Sequence, residues 1–139
     1  MNKVLLDSDV ILDLFFDRKP FSNDSAVIFK LCYQQKLNAF ITPVIISNVY
    51  YLLKKTSSHK KVKEKLNLLL SFANILIVDK SIILQALNSD FSDFEDALQN
   101  YSAENNKSIS AIITRNIKDY KHSNIAVLTP AAYVKSLVN

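Results

Sequence analysis

The sequence predicts an α/β protein built on a parallel sheet with helices covering both faces. Three observations carry this. Short apolar runs alternate with longer helix-like segments from end to end. The runs lack the every-second-residue polarity of a half-exposed strand, as strands buried on both faces do. Acidic or amide-bearing clusters fall where apolar strands end or helices begin, and a strand end is where an open parallel sheet places its chemistry.

Val4 to Leu6 reads as a brief buried strand and Val10 to Phe16 as a short helix. Asp9, nearer that helix than Asp7, is the better capping residue. Pro20 and Phe21 break the helix, and Asn23 or Asp24 caps the next one through Gln35, with Val27, Ile28, Leu31 and Cys32 on one face. Ala39 to Thr42 is strand two. Thr42-Pro43 is a strong helix start, a capping hydroxyl followed by proline at the first helical position, and the helix runs from Val44 to Lys55. Thr56-Ser57-Ser58 breaks and recaps the chain, and Lys60 to Phe72 is amphipathic. Ile75 to Val78 is strand three, Lys80 to Asn88 a helix, and Ser92 to Asn105 another, with a capping box at Ser92 and Glu95. Ile109 to Ile113 and Ile125 to Leu128 are strands four and five, strand four being expected beside strand one, and Pro130 to Val138 closes the chain as a helix.

At 139 residues the chain fits one domain, 1–139, and no composition break divides it. With 49% hydrophobic residues it can build a core. Met1-Asn2-Lys3 runs straight into the first strand with no signal-peptide pattern, and the longest uncharged stretch, Lys36 to Lys54, is too polar to span a bilayer. The single Cys32 fits a reducing cytoplasm and reads as a small buried apolar residue. Glycine is absent, which removes Gly-rich phosphate loops. It also leaves asparagine to end helices in the left-handed conformation, at Asn38, Asn74 and Asn106. A net charge of +4 and a pI near 9.1 favour an anionic partner.

Four clusters carry the chemistry: Asp7-Ser8-Asp9, Ser47-Asn48, Asp93-Phe94-Glu95-Asp96, and Thr114 to Asp119. Asp7 ends a buried strand, where a lone carboxylate is costly and a cation is one candidate partner; capping the next helix is the other use. Asp93 and Asp96 share a helix face, Asp96 aimed at the sheet edge and Asp93 divided between support and simple solvation. Glu95 belongs to the cap. Asn116 offers an amide oxygen, and Asp119 either binds metal or pairs with Arg115 or Lys118. Two or three carboxylates with an amide oxygen suit Mg²⁺ or Mn²⁺. His59 and His122 lack second ligands at zinc spacing. Lys54, Lys55, Lys60, Lys61, Lys63 and Lys65 form either a wetted helix face or a phosphate-backbone track. One of Tyr50 and Tyr51 is free to stack on a base, the other belonging to the core.

Asp7-Ser8-Asp9-Val10-Ile11-Leu12-Asp13 resembles the opening strand and turn of PIN domains. Asp93-Phe94-Glu95-Asp96-Ala97-Leu98-Gln99 and Thr114-Arg115-Asn116-Ile117-Lys118-Asp119-Tyr120 resemble the third and fourth PIN motifs, in the VapC-toxin-like branch. The resemblance implies a three-layer α/β/α sandwich with a central parallel five-stranded sheet. It further implies a Mg²⁺-dependent endoribonuclease of the toxin type, an antitoxin partner and often a homodimer. Carried over by position, Asp7 and Asp96 are metal ligands. Asn116 stands at the fourth acidic position, with Asp119 as substitute or support, and Arg115 either braces a phosphate or, the favoured use, forms a surface ion pair. Asp9 and Asp93 sit beside these ligands. Asn48 stands where many PIN nucleases carry glutamate. Two neutral amides at acidic positions keep a second reading open, a degenerate PIN module that binds RNA or protein without cutting. A third comes from Leu5-Leu6-Asp7-Ser8-Asp9-Val10, which also resembles the opening of haloacid-dehalogenase-type phosphatases, with Thr42 ending strand two as that family requires.

Overall fold

The structure is a computed structural model that describes residues 2–106 and 108–137. Strands β1 (Lys3–Leu6), β2 (Asn38–Ile41), β3 (Ala73–Ile75), β4 (Ala111–Ile113) and β5 (Ala126–Leu128) form one sheet in the order β3-β2-β1-β4-β5. Every pairing is parallel. The two central strands are apolar because helices cover both their faces: Val4, Leu5, Leu6, Ile112 and Ile113 are fully enclosed. Strand four lies beside strand one, as expected. From β1 the chain order runs one way to β2 and β3, and the other way to β4 and β5. Between β1 and β4 it reverses, which opens a crevice at the carboxyl ends of those two strands.

The helices are α1 (Ser8–Phe15), α2 (Phe21–Tyr33), α3 (Pro43–Lys54), α4 (His59–Leu70), α5 (Lys80–Leu87), α6 (Phe94–Glu104) and α7 (Pro130–Ser136), with a 3-10 turn at Ile117–Tyr120. Helix α1 packs against α2 and α3, α2 against α7, α3 against α4, and α5 against α6. The main core joins the sheet to these helices through residues such as Leu5, Ile11, Ile28, Ile41, Ile45, Leu53 and Leu69. A smaller cluster of Ile82, Ala86, Ala97 and Leu98 binds α5 to α6.

Thr42 and Pro43 start α3 as expected, the Thr42 hydroxyl accepting from the Ile45 amide at 3.1 Å. Other ends fall elsewhere. Asp7, not Asp9, occupies the cap of α1, its carboxylate accepting from the Ser8 amide at 2.8 Å. Asp93, not Ser92, caps α6, accepting from the Asp96 amide at 2.9 Å, so Ser92 and Glu95 form no capping box. Helix α2 begins at Phe21 with no side-chain cap, ahead of Asn23 and Asp24, because it follows directly on Pro20. Strand three lies at Ala73–Ile75 rather than 75–78, and Asn38 and Asn74 sit in strands rather than at helix ends. Among the described residues the left-handed positions are Asp17 (φ 50°) and Gln35 (φ 59°). The final helix ends at Ser136, and the expectation for Val138 falls outside the described residues. Cys32 is buried, and burial pushes its thiol up to about 12.

Candidate metal and phosphodiester site

The crevice between β1 and β4 holds a cavity of about 230 Å³, into which Asp7, Asp9, Asn48, Glu95, Asp96 and Asn116 converge. Each is delivered by a different end of the scaffold. Asp7 follows the last residue of β1, whose ladder extends one step further through a 3.0 Å bond from the Asp7 amide to the Ile113 carbonyl. Asp9 lies in the first turn of α1, Asn48 in α3, and Glu95 and Asp96 in the first turn of α6. Asn116 lies in the loop after β4, just ahead of the 3-10 turn. Residues up to 109 positions apart thus face one hollow because a parallel sheet gathers all its strand-to-helix turns at one edge.

Thr114 and Tyr120 tie this wall together. The Thr114 hydroxyl lies 3.0 Å from Asp7 Oδ2 and 3.3 Å from Asp9 Oδ2. The Tyr120 hydroxyl, on a side chain only 2% exposed, donates to Asp7 Oδ2 at 3.0 Å. Asp9 Oδ2 also accepts from the Arg115 amide at 3.0 Å and from Asn116 Nδ2 at 3.1 Å. Asn48 Nδ2 donates to Ser8 Oγ at 3.3 Å. Behind the wall, Asp13 is fully enclosed and takes Arg115 bidentately, through Nε and, at 3.0 Å, Nη2, while Arg18 approaches to 3.5 Å. Arg115 therefore turns away from the crevice and lies over the Phe21 ring at 4.1 Å, so an ion pair occupies it rather than a phosphate. Hydrogen bonding to Asp13 is the main influence raising its guanidinium pKa.

The carboxylates strain against one another. Burial raises Asp7 well above its usual range, and Asp119 adds repulsion, while bonds from Ser8, Thr114 and Tyr120 pull it back. Burial and then the charge of Asp7 lift Asp9 to about 6. Burial and then the charges of Asp7, Asp93 and Asp119 lift Asp96 to about 7. Burial and the nearby acids raise the Tyr120 phenol, which stays protonated and donates. Asp9 Oδ1 is buried with no hydrogen-bond partner among the described residues.

These features fit a hard divalent cation. Asp7 and Asp96 repel, and a cation between them reverses the repulsion. Among the described residues no group of three or more His, Cys, Asp or Glu side chains is arranged to hold a metal. The donor set therefore suits an ion that keeps most of its waters and takes one or two carboxylates, as Mg²⁺ does.

The structure thus brings Asp7, Asp9, Asn48, Asp96 and Asn116 around one hollow, with Asp119 close enough to act on Asp7 and Asp96, and Asp93 used as a cap. Sequence reasoning placed Thr114 in a chemistry-bearing cluster but gave no role to it or to Tyr120, and it did not pair Asp13 with Arg115. One signal was available: Asp13 stands three positions after Val10, on the enclosed face of α1, where a charge requires a partner.

A sequence model described as PIN domain matches residues 3–118. The chain belongs to the PIN-domain family. It is 31% identical over 132 residues to Ribonuclease VapC1 of Aquifex aeolicus, a match covering 91% of this chain and 90% of that protein, which places it with the VapC-like PIN domains. Its fold is shared with a toxin–antitoxin complex from Klebsiella pneumoniae, at TM-score 0.69, 22% identity and coverage of 91% of this chain and 97% of that one. It is also shared with VapBC2 from Rickettsia felis bound to a promoter DNA fragment, at TM-score 0.65, 14% identity and coverage of 91% and 98%. Membership in the PIN family sets aside the phosphatase reading. Thr42 does follow the end of β2, where that reading needs it, but its hydroxyl is buried and already used, capping α3 and donating to Gln99 Oε1 at 2.7 Å. Among the described residues no helix is long and apolar enough to cross a membrane.

Proposed function

We propose that this PIN domain is a Mg²⁺- or Mn²⁺-dependent endoribonuclease of the VapC toxin type, held in check by an antitoxin protein. One observation carries the reading: Asp7 and Asp96, far apart in the chain, share a hollow in which the charge of Asp7 raises the cost of ionising Asp96. Kinship to a protein named as a ribonuclease, and a fold shared with toxin–antitoxin complexes, support the substrate and the partner.

Asp7 and Asp96 would hold the ion, with Asp119 near enough to orient water around it. When bound, such an ion acidifies water and offsets negative charge on a phosphate. Tyr120 and Thr114 fix the rotamer of Asp7. Asn116 spends its amide on Asp9 and Asn48 spends its amide on Ser8, so the two neutral residues brace neighbours. That same bracing favours the second reading, an RNA- or protein-binding module that does not cut.

Incubation of purified protein with single-stranded RNA in Mg²⁺ or Mn²⁺ separates the two. Wild type cleaves, EDTA stops it, and Asp7→Asn and Asp96→Asn each lose at least 100-fold while keeping their circular dichroism. Equal cleavage by these variants and wild type would sink the nuclease reading. RNA binding without cleavage at millimolar metal would select the non-cutting module.

A further inference from the structure

A second cavity, of about 390 Å³, adjoins the carboxylate hollow and shares Asn48 and Glu95 with it. Its remaining walls are Pro43, Val44, Ser47 and Tyr51. The volume lies within the range of small-molecule sites. Its chemistry is divided: Pro43, Val44 and the Tyr51 ring are flat or apolar, while Ser47, Asn48 and Glu95 carry hydrogen-bonding groups. Tyr50 and Tyr51 have separate fates. Tyr50 is half-buried and its hydroxyl lies 3.1 Å from His59 Nδ1. Tyr51 is 70% exposed.

We propose that this cavity is a nucleobase subsite that selects an unpaired guanine beside the scissile phosphate. The inference rests on the ribonuclease reading and adds the substrate to it. An exposed tyrosine ring stacks on any base. A base in such a cavity has left its duplex, so the substrate is single-stranded RNA, whose splayed bases are read on their Watson–Crick edges. The Glu95 carboxylate only accepts hydrogen bonds. Guanine presents N1–H and N2–H side by side, matching its two oxygens, whereas uracil offers a single N–H flanked by carbonyls that a carboxylate repels. Asn48, standing in both cavities, spans the step from base to phosphate. Exposed Phe94 beside Glu95 adds apolar surface at the start of α6.

The test is fluorescence polarisation of labelled single-stranded RNA decamers in EDTA at low salt, with cut-site mapping of the same decamers in Mg²⁺ as a second arm. Wild type should bind a decamer with one central guanosine at least fivefold more tightly than all-uridine RNA, and should cut next to the guanosine. Inosine, which lacks the 2-amino group, should lose part of that gain. Glu95→Gln should bring the preference to within twofold, and Tyr51→Ala should weaken both decamers at least fivefold, with Tyr51→Phe restoring them. Both positions are exposed, and a melting curve checks that the variants fold. If wild type binds and cuts while Tyr51→Ala and Glu95→Gln behave like it, the subsite is refuted and the nuclease stands. If wild type neither binds nor cuts any decamer, both readings fall.

Discussion

At the scale of single residues, the site trades stability for charge. Asp96 ionises near pH 7 in the folded chain, against 3.8 for the free side chain, because burial and three neighbouring acids oppose it. A carboxyl raised in this way contributes stability that is fully present below about pH 4 and fades as pH rises to 7. Asp96→Asn keeps the shape and removes the charge. The metal-free variant should match wild type at pH 4 and melt about 3 °C higher at pH 8, the shift expected from ~1 kcal/mol after discounting for solvent screening. Equal melting at pH 8 would show that Asp96 is not strained. Asn48→Glu tests the opposite substitution: an added carboxylate in the same hollow should tighten Mn²⁺ binding several-fold by calorimetry, and unchanged binding would place position 48 outside the ion's reach. Asp13 is a separate matter. Its two oxygens are fully enclosed against Arg115, so Arg115→Ala strands a buried charge and should cost about 3 kcal/mol in urea unfolding, at the low end for such pairs because Arg18 remains at 3.5 Å.

At the scale of elements, two helix starts aim the chemistry. Thr42 is wholly enclosed; its oxygen caps α3 while its hydroxyl proton goes to Gln99 of α6, so one side chain fixes the helix carrying Asn48 against the helix carrying Asp96. Thr42→Ala removes a cap worth about 1 kcal/mol and leaves a buried amide oxygen without its donor, at about 1–3 kcal/mol more. The melting temperature should drop by about 10 °C, with most of it recovered by Thr42→Ser, which keeps the oxygen. A drop no larger than for an exposed substitution would show that the bridge does not form. The Thr42-Pro43 start was readable because both halves of the signal are adjacent in the sequence. The start of α6 was not, since Ser92 and Asp93 both satisfy the capping preference and only the turn preceding them decides which extends. The Gly-free chain misled for a related reason. Asparagine is the usual substitute in the left-handed region, yet Asp17 and Gln35 occupy it, placed by the tight exits from α1 and α2.

At the scale of the whole molecule, the fold makes the site by topology. Strand order reverses between β1 and β4, so the turns after both strands open into one crevice, and α3 and α6 send Asn48 and Asp96 to the same edge. Asp7 and Asp96 could be read from the sequence because each sits at a recognisable boundary within a motif. Tyr120 could not, because its partner lies more than 100 positions away; Asp13, on the enclosed face of α1, signalled that it needs a partner, but nothing local says that Arg115 supplies it. The converged acids also give the protein a pH signature. Folded Asp9 and Asp96 bind protons with values of about 6 and about 7, against 3.8 unfolded. Between pH 4 and 7 the folded chain therefore holds more protons, and the stability these groups supply at low pH fades as pH rises. On the proposed metal-dependent reading, a divalent ion would take the place of those protons. Millimolar Mn²⁺ should raise the melting temperature by several degrees at pH 8, where the carboxylates are ionised, and by less than one degree at pH 5, where protons occupy them. Asp7→Asn should abolish the pH 8 shift. A Mn²⁺ shift of the same size at both pH values, or one that survives Asp7→Asn, would mean the ion binds elsewhere.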